Sequence, residues 1–286
     1  MGGGPVLVWK GDGAVEERTE RKPMRIAVLI KQVPDSDDVR MDPETGTMVR
    51  EGVGAIVNPL DLNALQAALD LKNDAPGGAE VTVITMGPPK AHEALRECIS
   101  MGADGGVLLS DRAFAGSDTW ATARALAKAV EKTGPYDLVL AGEKATDGET
   151  GQVGPEVAVL LDLPFTTYVV RMELADGTAT VRRMVEEGVH IQRLPLPCMI
   201  TVLHALNEPS MPTLAGKKRA RRIDIPVLGA SDLSMAPEET GLRGSATRVV
   251  RISYPTVSRK ADMYDEKSLD QGIERLVELL RDQAVI

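Results

Sequence analysis

The strongest constraint on this chain is an alternation, from Arg25 to about His204, of short aliphatic runs with segments of helical periodicity. Residues 26–33 (IAVLIKQV), 80–86 (EVTVITM), 106–109 and 137–141 (DLVLA) are near-continuous apolar runs, the pattern of strands covered on both faces. Between the first two, Asn58 and Pro59 read as an N-cap followed by proline at the first helical position. They open a helix over 60–73 with Leu62, Leu65 and Leu69 on one side. Residues 89–101 predict a second helix, and Ser117 or Asp118 caps a third that runs to Lys132. Such sustained alternation builds a mostly parallel sheet with helices on both faces, wound by right-handed crossovers. Aromatic residues are only 3% of the chain, so its core is expected to be aliphatic.

After about Leu163 the pattern changes. Residues 165–174 and 178–187 flank Asp176 and Gly177, a two-residue hairpin signal. Further strands are expected over 188–194 and 197–204, so the sheet gains antiparallel edge strands. From Asn207 to Asp265, Pro, Gly and Arg are frequent and periodicity is lost. So long a stretch does not suit an internal loop of a compact domain, and it reads as an extended C-terminal arm ordered against another chain. An amphipathic helix over 268–283 (Leu269, Ile273, Leu276, Leu280) closes the sequence. The expected organisation is a disordered leader over 1–23, an α/β domain over 24–206, and over 207–286 a loop, an arm and the last helix.

Charge and cysteine content narrow the setting. Lys and Arg number 33 against 42 Asp and Glu, for a net charge of −9, which argues against a basic nucleic-acid footprint. Cys98 and Cys198 have no CxxC spacing and form neither a disulfide framework nor a Cys-based zinc site, so a reducing cytoplasm is expected. No apolar run approaches the ~18 residues that span a bilayer. Residues 1–23, Gly-rich and then charged, do not have the pattern of a secretory signal.

The most informative chemistry lies in 141–155 (AGEKATDGETGQVGP), a polar, glycine-rich loop between a strand and a helical pattern. Open α/β sheets bind ligands at the carboxyl ends of such strands. Gly148, Gly151 and Gly154 permit close backbone approach and positive φ, and Thr146, Thr150 and Gln152 offer side-chain donors. Free amides at the next helix start favour a phosphate. The loop is neither a Walker A motif nor GxGxxG. Met86, Gly87 and Pro88 end another strand and let a ring or ribose approach. No catalytic constellation or metal set emerges: His92, His190 and His204 are isolated, and GxSxG, HExxH and HxE…PCxxC are missing. A nucleotide site without nucleophile, base or metal ligands leaves the chemistry to a cofactor. Five cations within 217–222 stand out against the acidic background; a solvated loop, a localisation signal and nucleic-acid binding are alternatives, and a segment steering an acidic partner protein fits the arm better.

Five motifs, in order, carry a resemblance to the β subunit of electron-transfer flavoproteins. They are VLIKQVPD (28–35), VNPLD (57–61), MGAD (101–104), DGETGQVGP (147–155) and LNEP (206–209). The resemblance implies an adenine-nucleotide α-hydrolase-like fold and an α-subunit partner holding an FAD. It implies a nucleotide pocket lined by Leu29, Asn58, Asp61 and Met86. The 143–154 loop would complete it, through Glu143, Thr146, Asp147, Gly148, Glu149, Thr150, Gly151, Gln152, Val153 and Gly154. It further implies that Asn207, Glu208, Pro209 and Leu214 belong to a loop that docks partner dehydrogenases, with Leu214 the anchor.

Within that family the pocket holds either a structural AMP or, in the electron-bifurcating group, a second FAD that accepts hydride from NADH. The short loop and Gly244-Ser245-Ala246-Thr247-Arg248-Val249-Val250 resemble the second group, although Ala246 stands where proline is usual and Gly151 where alanine is more common. Electrons would then divide between a low-potential acceptor, ferredoxin or flavodoxin, and the α-subunit FAD, which feeds a dehydrogenase or a quinone oxidoreductase. The alternatives are a β subunit holding AMP that docks acyl-CoA dehydrogenases and, from another class, a free-standing nucleotide hydrolase or ligase. A P-loop lysine and a metal-carboxylate motif, which that last class needs, are missing.

Overall fold

The computed structural model describes residues 6–9, 15–18, 23–35, 54–74, 77–250 and 261–286. They fall into two units, Met1–Arg248 and Val249–Ile286. The first is built on a nine-stranded sheet. In chain order its elements are β1 (Met24–Leu29), α1 (Pro59–Asp74), β2 (Ala79–Met86), α2 (His92–Met101), β3 (Gly105–Leu109), α3 (Thr119–Thr133) and β4 (Leu138–Gly142). They continue with α4 (Val153–Leu160), β5 (Phe165–Ala175), β6 (Thr178–Val185), β7 (Gly188–Pro195), β8 (Cys198–Val202), α5 (Leu214–Ala220) and β9 (Val227–Leu228). The strand order is β7-β6-β5-β8-β4-β1-β2-β3-β9. All neighbours from β5 to β9 are parallel, and β6 runs antiparallel to both β5 and β7.

The expected fold class is therefore present, and its physical basis is visible in β1. Ile26 and Val28 join a core cluster with Leu65, Leu95, Ile99, Leu138 and Ile200. Ala27 and Leu29 join a second with Ile84, Leu109, Leu126, Val139 and Met199. Successive side chains point to opposite faces, so an unbroken apolar run satisfies two helix layers at once. Truncating one of the largest buried side chains, such as Ile26 or Leu138, removes about 2–5 kcal/mol. At the β5–β6 connection Asp176 and Gly177 both take positive φ, 48° and 72°, as the expected two-residue hairpin turn requires.

Two expectations about the ends of the domain need correcting. The compact unit does not stop at residue 206. Helix α5 lies on α2, and Gly216 comes so close to the Ser100 carbonyl that no side chain fits there. Arg219 donates to the carbonyls of Ile99 (2.7 Å) and Ala103 (2.8 Å), so one cation of the basic run closes the carboxyl end of α2. Val227 pairs with Leu108 on β9 and β3, and Ala220, Ile225, Ala230, Leu233 and Met235 are buried. These anchors are single side chains between turns, so they leave no period in the sequence. At the other end, Val6–Trp9 pairs antiparallel with Val15–Arg18, so the expected leader contains a short hairpin.

The tail motif is fastened to the start of α3. Asp118 accepts from the Ala121 amide (3.0 Å) as the expected N-cap, and from the Thr247 amide (2.8 Å) and hydroxyl (3.0 Å). Its own amide donates to the Ser245 hydroxyl at 2.9 Å. In the second unit, the amphipathic helix Leu269–Asp282 exposes Leu269, Ile273, Leu276 and Leu279. Part of the expected arm, residues 251–260, lies outside the described residues.

Asp118→Ala removes a helix cap and both Thr247 contacts together. It should lower stability by about 1–2 kcal/mol in urea unfolding, and hydrogen exchange of the 245–247 amides should rise.

Candidate functional site

Reading outward from β1, the chain runs through β2 and β3 in one direction, whereas β4 lies on the opposite side. The boundary between β1 and β4 is thus a topological switch point, and ligands bind such sheets in the crevice outside the carboxyl ends there. The segments meeting at this place are the end of β1 (Leu29 to Lys31), the start of α1 (Asn58 to Asp61) and the loop that follows β4.

Two buried polar side chains join them. The Asp61 carboxylate accepts from the Lys31 amide through Oδ2 (2.7 Å) and from the Gly142 amide through Oδ1 (3.1 Å). It thereby bridges the ends of β1 and β4. Burial pushes its pKa up to about 7, against the opposing effects of hydrogen bonds from Asn58, Lys31 and Gly142. A Cβ at Gly142 would stand 2.5 Å from Asp61 Oδ1 and 2.7 Å from Leu60 Cβ, so only glycine permits this approach. Asn58 is fully buried. Its Nδ2 donates to the Lys144 carbonyl (2.9 Å) and its Oδ1 accepts from the Thr146 amide (3.1 Å). The side chain expected to cap α1 therefore holds the β4 loop instead.

The loop itself, 143–152, is fixed by its backbone and by ion pairs. Lys31 Nζ lies 2.7 Å from Asp147 Oδ1, and Lys144 Nζ 3.4 Å from Glu149 Oε1. Both pairs are partly exposed and add little stability. The three glycines differ in role. Gly151 has φ 63° and would place a Cβ 2.7 Å from Glu143 Oε1. Gly154 packs against the Thr201 and Met199 side chains. Gly148 faces open space with ordinary φ, while Glu149, at φ 51°, takes the left-handed conformation. Thr146, Asp147, Glu149, Thr150 and Gln152 are exposed, and Glu143 is buried.

Helix α4 starts beside this loop, and no side chain caps its first amides, those of Val153 and Gly154. Thr119, at the start of α3, donates to Glu156 Oε1 (3.1 Å) and Gln152 Oε1 (3.3 Å). Burial raises the Glu156 pKa. Among the described residues, Glu156 Oε2, Thr201 Oγ1 and Thr85 Oγ1 are buried without a hydrogen-bond partner. Thr85 and Thr201 each lie one residue before the end of a parallel strand, β2 and β8. In the sequence each is a hydroxyl placed late in an apolar run. Leu29 is buried and Met86 half-buried at the ends of their strands. The Leu29 side chain belongs to the core and that of Asp61 to internal hydrogen bonds, so these two residues shape the crevice from behind.

The expected docking segment begins on α1 and ends at α5. Asn63 Nδ2 donates to the Asn207 carbonyl (2.8 Å), and Asn207 Nδ2 to the Asn63 carbonyl (3.0 Å). The Ser210 amide donates to Gln66 Oε1 at 2.8 Å. Beyond these staples Glu208, Met211 and Leu214 are exposed, with Leu214 presented by a helix start that Thr213 caps. Among the described residues no His, Cys, Asp or Glu cluster is placed to hold a metal, and no helix is long and apolar enough to cross a membrane.

A parallel α/β sheet with a loop and an uncapped helix start at its switch point has the architecture of nucleotide-binding domains. Residues 45–233 match the family model for the electron transfer flavoprotein domain. The chain belongs to the electron transfer flavoprotein family, on its β-subunit side. It is 44% identical, over 92% of its length and the whole of the relative, to the caffeyl-CoA reductase-Etf complex subunit CarD of Acetobacterium woodii. It is 45% identical, with the same coverage, to the electron transfer flavoprotein subunit beta of Thermoanaerobacterium thermosaccharolyticum. Protein FixA of Azorhizobium caulinodans is 46% identical over 85% of this chain and 89% of that protein.

Asp61→Asn replaces one acceptor oxygen with an amide NH2 group that faces a backbone N–H, and should cost about 1–3 kcal/mol. Because the folded pKa lies above the unfolded one, the stability from this carboxyl is full below pH 3.8 and falls away as the pH rises to about 7. Urea midpoints measured from pH 4 to 7 should therefore fall more steeply for the wild type than for Asp61→Asn.

Proposed function

We propose that this chain is the β subunit of a heterodimeric, cytoplasmic electron-transfer flavoprotein that holds an FAD in the β1–β4 crevice and draws electrons from NADH. The observation that carries the reading is the uncapped start of α4 beside Gly151. It offers main-chain donors to a phosphate group, where the macrodipole also favours an anion. The unpartnered Thr85 and Thr201 hydroxyls, at the same end of the sheet, fit a polar ligand that completes their hydrogen bonds. When bound, the flavin supplies hydride acceptance from NADH and delivery of single electrons to a low-potential acceptor (ferredoxin or flavodoxin) and to the α-subunit flavin.

This chain's own residues hold and shape. Asn58 and Asp61 set the loop against the strand ends, while Lys31 and Lys144 offset the charges of Asp147 and Glu149. Thr150 and Gln152 face the ligand from the loop. Leu214 anchors a dehydrogenase or quinone oxidoreductase, an exposed apolar side chain on a stapled loop being the kind of group that concentrates binding energy. The relative from a caffeyl-CoA reductase complex supports an acyl-CoA-type enzyme as that partner. The exposed leucine stripe of Leu269–Asp282 is the surface that the α subunit covers.

The test is the visible spectrum of the co-expressed heterodimer during NADH titration. Two flavins per pair, both bleached, are expected; one flavin with extractable AMP would replace the FAD assignment by AMP. Thr150→Ala combined with Gln152→Ala should lower flavin occupancy at this site about tenfold or more, for two lost hydrogen bonds, and leave subunit assembly intact by gel filtration.

A further inference from the structure

Three side-chain oxygens meet between the starts of α3 and α4 around a single hydrogen. Thr119 Oγ1 lies 3.1 Å from Glu156 Oε1 and 3.3 Å from Gln152 Oε1. A hydroxyl has one proton to give, so Thr119 satisfies one of these acceptors at a time. The other oxygen of Glu156, Oε2, is buried without a partner. The cluster is short of a donor in a place where an unpaired acceptor is costly.

Two arrangements pair Thr119 with both neighbours, and they differ by one proton. With Glu156 ionised, Thr119 donates to the carboxylate, and the Gln152 amide turns so that its Nε2 donates to Thr119 Oγ1. Gln152 Oε1 is then the group left free. With a proton on Glu156, the carboxyl donates to Thr119, and Thr119 donates to Gln152 Oε1. Gln152 Nε2 is then left free. Gln152 is exposed and stands immediately before the uncapped first turn of α4. The proton on Glu156 thus decides whether a donor or an acceptor flanks the Val153 and Gly154 amides.

The surrounding charges favour such a proton. Burial pushes the Glu156 pKa up, the Thr119 hydrogen bond opposes the rise, and the Asp118 charge on α3 adds to it. Helix α4 packs on α3, β8 and β5. Farther along α3, Arg124 is paired with Glu239 and Lys128 with Glu131. The Cys198 thiol of β8, pushed up to about 11 by burial, stays neutral, and Arg171 of β5 is paired with Glu173. In the loop, Asp147 and Glu149 are paired with Lys31 and Lys144. A carboxylate in a first helical turn is favourable while that turn is empty. A phosphate at the same turn sets two anions side by side, and the carboxyl then gains by taking a proton.

We propose that Thr119 is a positioning residue that links Glu156 to Gln152, so that phosphate binding at the start of α4 draws a proton from solvent onto Glu156 and leaves the Gln152 amide nitrogen free to donate to the ligand. This rests on the nucleotide reading above and adds to it a coupling between ligand and proton. By linkage the site binds phosphate more tightly as the pH falls.

The experiment is a calorimetric titration of FAD into the co-expressed heterodimer, emptied of nucleotide at the β site, from about pH 5 to 8. The FAD pyrophosphate keeps its charge throughout, and buffers of different ionisation enthalpy report the protons taken up. Wild-type affinity should fall with rising pH, by up to about tenfold per pH unit, with net proton uptake. Asp61 titrates in every variant, so the comparison with Glu156→Gln isolates Glu156. Glu156→Gln, neutral at every pH, should keep the low-pH affinity and lose most of the uptake. Thr119→Val, which keeps the shape and removes the hydroxyl, should bind about tenfold more weakly at low pH, for one lost hydrogen bond, with the uptake much reduced. Undiminished uptake in either variant overturns the proposal, as does wild-type binding without uptake. A wild type that binds no FAD at any pH overturns the FAD reading on which the proposal rests.

Discussion

One buried carboxylate ties the molecule's architecture to its site. Asp61 is the point at which two adjacent parallel strands and the first helix are joined, through the Lys31 and Gly142 amides. Without it, the ends of β1 and β4 would present unpaired main-chain donors in a buried place, a costly arrangement. With it, the strand ends are closed from behind and the following loop is free to face outward. Asn58, three residues earlier and also buried, carries the same logic one step further by taking up the loop's own main chain. The polar groups at these two strand ends are therefore satisfied within the protein.

That arrangement explains why the loop is built as it is. Asp147 is paired with Lys31 from the end of β1 and Glu149 with Lys144 of the loop itself, the helix start is left uncapped, and the left-handed residues Glu149 and Gly151 turn the chain. Nothing among the described residues forms a metal set, and the sequence carries no recognisable nucleophile–base constellation. The chain belongs to the electron transfer flavoprotein family, and in the reading proposed above the protein binds and orients while a cofactor supplies the electrons' path.

Much of the fold was legible because it rests on period. The two-faced strands, the three long helices of the parallel half and the Asp176-Gly177 turn all leave local patterns in the chain. What could not be read were contacts without period. Residues 207–265 were expected as an arm ordered against another chain, yet up to Arg248 they belong to the first unit, pinned by Gly216 on Ser100, Arg219 on the end of α2, and isolated buried side chains such as Ile225 and Leu233. Asn58 followed by Pro59 looks like a cap from its neighbours alone, and only the approach of Lys144 and Thr146 from far along the chain reveals its other partners. At the switch point, the loop's place between a strand and a helix was legible, and the buried Asn58 and Asp61 contacts behind it were not. Thr85 and Thr201 lie in ordinary strand sequence, and that their hydroxyls are buried without a partner emerges only once the sheet is assembled.

The central claim is that the switch-point crevice holds a nucleotide against the loop after β4. A density map of the intact heterodimer, prepared without added nucleotide, tests it most directly. The account predicts dinucleotide density with its phosphates at the Val153 and Gly154 amides. A clear map showing an empty crevice, or the bound molecule lodged elsewhere on this subunit, would contradict it.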